Sequence, residues 1–178
     1  ALAILQPINH REFEANSLGG LGNAYKSLGQ YQEAIGFYQQ SLEIAREIGY
    51  RLGEGMSLGG LGNAYYSLGQ YQEAIGFYQQ FLEIKREIGN RLVEGITWFN
   101  LGIALEKENR KLDAIGAFRN SRQLFQSMEL DANVQMAENE IQRIEANSAT
   151  PSHSNRNWLK NATNFLWRVV RAQFRQRG

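Results

Sequence analysis

Residues 11–50 and 51–90 match without a gap at 32 of 40 positions. No other feature of the chain narrows its folding so much. A 40-residue period means that one small unit is built repeatedly, and each copy must bury its apolar face against the next. Residues 91–130 continue the register with drift. Arg91, Leu92, Glu94, Gly95, Leu101, Gly102, Ala104, Ala114, Ile115 and Gly116 still match the second copy. A fourth copy opens at Asp131 and fades after one helix. In the other direction Leu2, Ile4 and Ile8 align with Leu42, Ile44 and Ile48. The register therefore predicts that the chain opens in the second half of an earlier repeat, as a piece of a longer array.

Each copy reads as two helices. Leu18, Leu21, Gly22 and Tyr25 recur at i, i+3, i+4 and i+7, which places them on one face expected to pack inward. Gly29 stands where such a helix ends in a left-handed residue. The second helix carries Ala34, Ile35, Tyr38, Leu42 and Ile48 on one face and stops at Gly49. No alternating β-branched run argues for a strand. The expected fold is all-α: a solenoid of stacked antiparallel helix pairs with a C-terminal amphipathic helix. Residues 1–10 read as the second helix of a truncated repeat, leaving His10 in a turn. Residues 11–50, 51–90 and a divergent 91–130 are the repeats. A capping helix over 131–147, a linker over 148–156 and a basic amphipathic helix over 157–176 follow.

Composition removes several classes of function. There is no cysteine, which excludes disulfides, thiolate metal sites and cysteine nucleophiles. His10 and His153 are far apart, and no His/Asp/Glu cluster has metal-ligand spacing. The stretch GEGMSLGG at 53–60 lacks the lysine and the preceding strand of a phosphate loop. Glu14, Glu54 and Glu94 each follow an arginine by three residues, as solvated surface pairs do. The reading is of a non-enzyme without cofactor or metal. If a catalytic domain lies upstream, the array is its sensing or recruiting module.

The residue pattern resembles the tetratricopeptide repeat. It shows as Leu18, Leu21-Gly22, Tyr25, Ala34, Tyr38 and Ser41 in the first copy. The second has Leu58, Leu61-Gly62, Tyr65, Ala74 and Tyr78, with Phe81 where a small residue is usual. The third has Trp98, Leu101-Gly102, Ala114 and Phe118, with Leu105 in place of the tyrosine. The resemblance covers about residues 1–147. It implies a right-handed superhelix, a cytoplasmic location, and a protein or peptide partner held in the concave groove lined by the first helices. The usual unit is 34 residues and ends its second helix with proline. Arg46 and Arg86 stand there instead, and the unit is similar to the longer repeats of bacterial sensor and scaffold proteins, kinesin light chains and spindle-orientation adaptors.

That analogy assigns the face opposite the apolar one to the groove. It holds Asn16, Gly19, Gly20, Asn23 and Lys26, then Met56, Gly59, Gly60, Asn63 and Tyr66, then Ile96, Phe99, Asn100 and Ile103. Gly22, Gly62 and Gly102 are expected to let the two helices of a repeat approach closely. Gly19-Gly20 and Gly59-Gly60 have two readings: close packing between adjacent repeats, or a bare groove floor giving a ligand backbone access to Asn23 and Asn63. Tyr66 and Phe99 are the candidate aromatic anchors, and Trp98 belongs to the core.

The net charge of +1 conceals an asymmetry, with +6 in residues 151–178 and −5 in the rest. Within 157–176, Trp158, Ala162, Phe165, Leu166, Val169, Val170 and Phe174 have helical apolar spacing. Trp158, Phe165, Trp167, Arg168, Arg171 and Phe174 are the candidate tail contacts. This segment reads as a cap on the array, as an element for homo-oligomer formation, or as a membrane-surface helix. Nucleic acid is not an expected partner of so acidic a body.

Overall fold

The computed structural model describes residues 2–149, with side chains from 10 to 148. Among the described residues seven α-helices follow one another: α1 (Leu2–Ser27), α2 (Tyr31–Glu47), α3 (Arg51–Ser67), α4 (Tyr71–Ile88), α5 (Arg91–Lys107), α6 (Lys111–Gln126) and α7 (Asp131–Ala149). Ala1–Ile141 form one compact unit, and a second begins at Gln142 within α7. No strand occurs among the described residues.

The turns repeat as faithfully as the helices. Gly29, Gly49, Gly69 and Gly89 have φ of 70–76°, and each ends a helix. At the first turn the N–H of Gln30 donates to the carbonyl of Tyr25 and that of Gly29 to Lys26, the paired bonds that close a helix C-terminus. Copy three makes the same bonds without glycine, at Asn109 (φ 60°) and Glu129 (φ 57°). One expected turn is missing. α1 runs unbroken through His10, which the sequence reading placed in a turn. Asn9 stands where Gly49 and Gly89 turn left-handed. Here the continuous helix satisfies the backbone groups that such a turn would otherwise pair. At the other end α7 continues to Ala149, past the expected linker boundary at 148.

The core is built between copies as much as within them. Ala34, Ile35, Tyr38 and Leu42 of α2 pack with Leu58, Leu61 and Ala64 of α3 and Ile84 of α4. Gly22, Gly62 and Gly102 do what the sequence reading requires. A Cβ at these positions would lie 2.6 Å from Tyr38, 2.6 Å from Tyr78 and 2.8 Å from Phe118, inside the ring that each glycine receives. The exception to the inward face is Leu21. It is 44% exposed, because among the described residues no second helix is stacked on α1 as α2 is on α3.

The residue that spaces neighbouring first helices differs between copies. Ser41 donates to the carbonyl of Ala15 (2.7 Å) and accepts from Ser57 (2.8 Å), joining α1 to α3. Ser121 donates likewise to Gly95. Phe81 fills this position in copy two, against Gly55 and Gly59. Accordingly the α3 backbone approaches α1 more closely than it approaches α5.

Arginine in the proline position also has a structural consequence. Arg46 reaches Glu54 in the next copy at 3.0 Å, and Arg86 reaches Glu94 at 2.9 Å. Glu54 also accepts from Arg51 at 2.6 Å. Its side chain is 11% exposed, so it is not the solvated partner that the i, i+3 spacing suggested. Burial pushes the Glu54 carboxyl upward, but the two guanidinium groups outweigh it and hold the group below its ordinary value. Arg91 does not pair with Glu94 as expected; it donates to Ser127.

Candidate functional site

The first helices α1, α3 and α5 place their second stripe of residues in three parallel rows. On α1, Asn16, Gly20 and Asn23 are exposed, while Gly19 and Lys26 are half-buried. On α3, Met56 is exposed and Asn63 and Tyr66 are half-buried, whereas Gly59 and Gly60 are buried. On α5, Ile96 is exposed and Phe99, Asn100 and Ile103 are half-buried.

The buried glycines correct the groove-floor reading. The Tyr38 ring is held between two helices. A Cβ on Gly22 would lie 2.6 Å from it and one on Gly60 would lie 2.5 Å away. Gly59 lies under Phe81, where a Cβ would stand 3.0 Å from the ring. Gly60 is therefore a packing surface between copies, and Gly59 one within copy two. Gly20 meets nothing within 4 Å of its would-be Cβ, and so keeps the open character that its twin lacks.

Asn23 and Asn63 are fixed from behind. The Tyr38 hydroxyl donates to Asn23 Oδ1 at 2.7 Å, and Tyr78 donates to Asn63 Oδ1 at 2.9 Å. Burial raises both hydroxyls above the ordinary tyrosine value, with Tyr66 adding to the effect on Tyr78, so each remains a donor at neutral pH. The bond takes the amide oxygen; the NH2 end has no part in it. The two asparagines are thus oriented side chains whose orientation depends on the core.

The aromatic candidates are partly engaged. Phe99 meets Phe118 edge-to-face at 5.2 Å, and Tyr66 is tilted on Tyr71 at 5.4 Å. Trp98 is half-buried rather than core. The Arg86 guanidinium covers it at 5.2 Å, beside a depression of about 280 Å³ lined by Arg91, Glu94, Gln123 and Leu124.

Sequence reasoning placed Met56 and Ile96 on this face but missed the apolar edge they form with Leu52, Leu92 and Met136. Leu52 and Met56 on α3, Leu92 and Ile96 on α5, and Met136 on α7 are all exposed, Met56 at 51% and Ile96 at 42%. They occupy two register rows, in which the first copy has Glu12 and Asn16. A column-by-column comparison of the copies carries that signal, since both positions change from polar to apolar after copy one. The tail candidates Trp158, Phe165, Trp167, Arg168, Arg171 and Phe174 lie outside the described residues. Among the described residues no group of three His, Asp or Glu side chains could hold a metal, and no helix is long and apolar enough to cross a membrane.

A model of the tetratricopeptide repeat family matches residues 1–47, 13–87 and 53–127. The chain belongs to this family. Among curated proteins none matches it. Solved structures share the fold of this tetratricopeptide array at low identity. Aspartyl phosphate phosphatase F from Bacillus subtilis is 20% identical with a TM-score of 0.67, over 75% of this chain and 35% of that one. RapI, in its apo form, is 15% identical with a TM-score of 0.70, over 78% and 38%. The type III secretion translocator chaperone SycD of Yersinia enterocolitica is 17% identical with a TM-score of 0.62, over 77% and 96%. This chain therefore spans a little over a third of the first two proteins.

Proposed function

We propose that this tetratricopeptide array is a protein-interaction scaffold that holds a partner segment on the face of its first helices. The observation that carries the reading is the group of exposed apolar side chains in two adjacent register rows, Leu52 and Leu92 in one and Met56, Ile96 and Met136 in the other, spread over three successive first-type helices. Apolar side chains grouped on one face mark contact surfaces more often than scattered ones do. Asn23 and Asn63, held by buried tyrosines, offer amides to a peptide backbone beside those rows. The chain acts by binding, and any catalysis belongs to a larger protein that contains it. The similarity to a translocator chaperone supports a role in handling other proteins.

The test is capture of a partner by the immobilised full chain, followed by titration of the identified partner. Met56→Glu with Ile96→Glu should weaken binding at least about tenfold, since charge is placed in an apolar contact. Melting should hardly change, because both positions are exposed. Unchanged affinity in the double variant would sink the reading. Asn23→Ala and Asn63→Ala are poorer probes, because each also removes a tyrosine hydrogen bond worth about 0.5–1.5 kcal/mol.

A further inference from the structure

The step between α3 and α5 contains a buried cation. Its register position is filled by Ala45 in copy one and by Phe125 in copy three, both buried. Copy two has Lys85, which is 6% exposed. Its Nζ stands 4.9 Å above the Phe81 ring and would lie 3.6 Å from a Cβ on Gly55 of α3. Among the described residues it meets no carboxylate and no hydrogen-bond acceptor. Glu54, the neighbour of Gly55 in the chain, is committed to Arg46 and Arg51. No fully buried side-chain nitrogen in the described residues lacks a hydrogen bond, so the unbonded Lys85 amine itself reaches the surface. A cation so placed loses part of its hydration and, among the described residues, gains the face of one ring in return.

The surroundings show which ligand suits it. Phe81 replaces the serine that joins α1 to α3, so this step of the array is the wider one. The aromatic spacer and the lysine above it come together in the same copy. Met56, next to Gly55, is exposed on α3, and its register counterpart Ile96 is exposed on α5. We propose that this step is a specific subsite for a glutamate side chain of the bound protein segment, with Lys85 as its counter-ion and Met56 and Ile96 receiving the flanking apolar side chains. A side chain is the fitting source. It stands off its own backbone and enters the step alone, whereas a chain terminus would have to bury backbone groups with it. The proposal rests on the reading of this face as the partner-binding surface.

The experiment is a parallel selection of random twelve-residue peptides against the full chain and against its Lys85→Met variant. Methionine keeps the length of the side chain, and the apolar residues at 45 and 125 show that the position tolerates one; equal melting of the two proteins checks this. Peptides selected by the wild type should share an acidic position beside an apolar one, and those selected by Lys85→Met should lack it. For a synthesised wild-type binder, Glu→Gln in the peptide and Lys85→Met in the protein should each weaken affinity about tenfold or more, and together no further. Binders that depend on Met56 and Ile96 but show no acidic position overturn the subsite and leave the binding face standing. Binders indifferent to Met56→Glu and Ile96→Glu, or no binders at all, overturn both.

Discussion

α1 and α3 carry the same nine residues, SLGGLGNAY, at 17–25 and 57–65, and place them in different environments. Leu61 is completely buried while Leu21 is nearly half-exposed. Gly60 is pressed by Tyr38 and Gly20 faces open space. Ala64 is buried while Ala24 is exposed. The backbone is helical in both places, so the difference arises entirely from neighbours: α3 lies against α2, and no described helix lies on the corresponding face of α1. Identical local sequence fixes identical local structure here, and the stack decides which surface becomes core.

The comparison is best attacked with paired substitutions. Leu61→Ala should cost about 2–5 kcal/mol, the usual range for emptying a buried leucine site. Leu21→Ala should cost well under about 1 kcal/mol by the ordinary behaviour of surface positions. Chemical denaturation of both variants reads the difference, and equal losses would mean that α1 is covered as α3 is. Next in size is the glycine pair. Gly60→Ala drives a methyl into the Tyr38 ring, which Gly22 blocks from the other side, and should cost about 1–3 kcal/mol. Gly20→Ala meets nothing and should gain about 0.5–1 kcal/mol from the better helix former. Opposite signs in melting temperature are expected, and a shared sign would break the comparison.

The smallest effect concerns the acids at one register position, Glu14 and Glu54. Glu54 is held by arginines from two helices and has a folded pKa below its ordinary value. Its stabilisation is therefore complete above the ordinary glutamate range and is lost as pH falls through the folded value. Glu54→Gln should cost about 1–2 kcal/mol at neutral pH, and the gap to the wild type should close on acidification. Glu14, 42% exposed in its ion pair with Arg11, should give less than about 1 kcal/mol on the same substitution. Urea titrations at neutral and acid pH separate the two, and a constant gap for Glu54→Gln would remove the carboxylate from the account.

Much of the fold is legible from the repeat. The helix pairs, the glycine turns and the close approach at Gly22, Gly62 and Gly102 follow from residue types at fixed spacing, because helical periodicity and left-handed glycine are local properties. The candidate site is less legible. Asn23 and Asn63 were readable as repeated surface amides, but not their attachment to Tyr38 and Tyr78, residues 15 positions away on the next helix. Gly59 and Gly60 read as groove residues by helical angle, and angle alone does not register the rings of Phe81 and Tyr38 coming from other helices. Met56 and Ile96 read as face residues by the same angle, whereas Leu52, Leu92 and Met136, which extend them, could have been found by comparing columns between copies.

By itself the sequence determined the forty-residue unit, its two helices, its turns and the inward stripe of each helix, since these depend on residues within a few positions of one another. Only the tertiary structure decided which of two identical stripes is buried, that Arg46 and Arg86 reach Glu54 and Glu94 in the next copy, and that Lys85 is largely buried with no carboxylate beside it among the described residues. Burial and charge pairing belong to surfaces in contact, and those surfaces meet only when the copies stack.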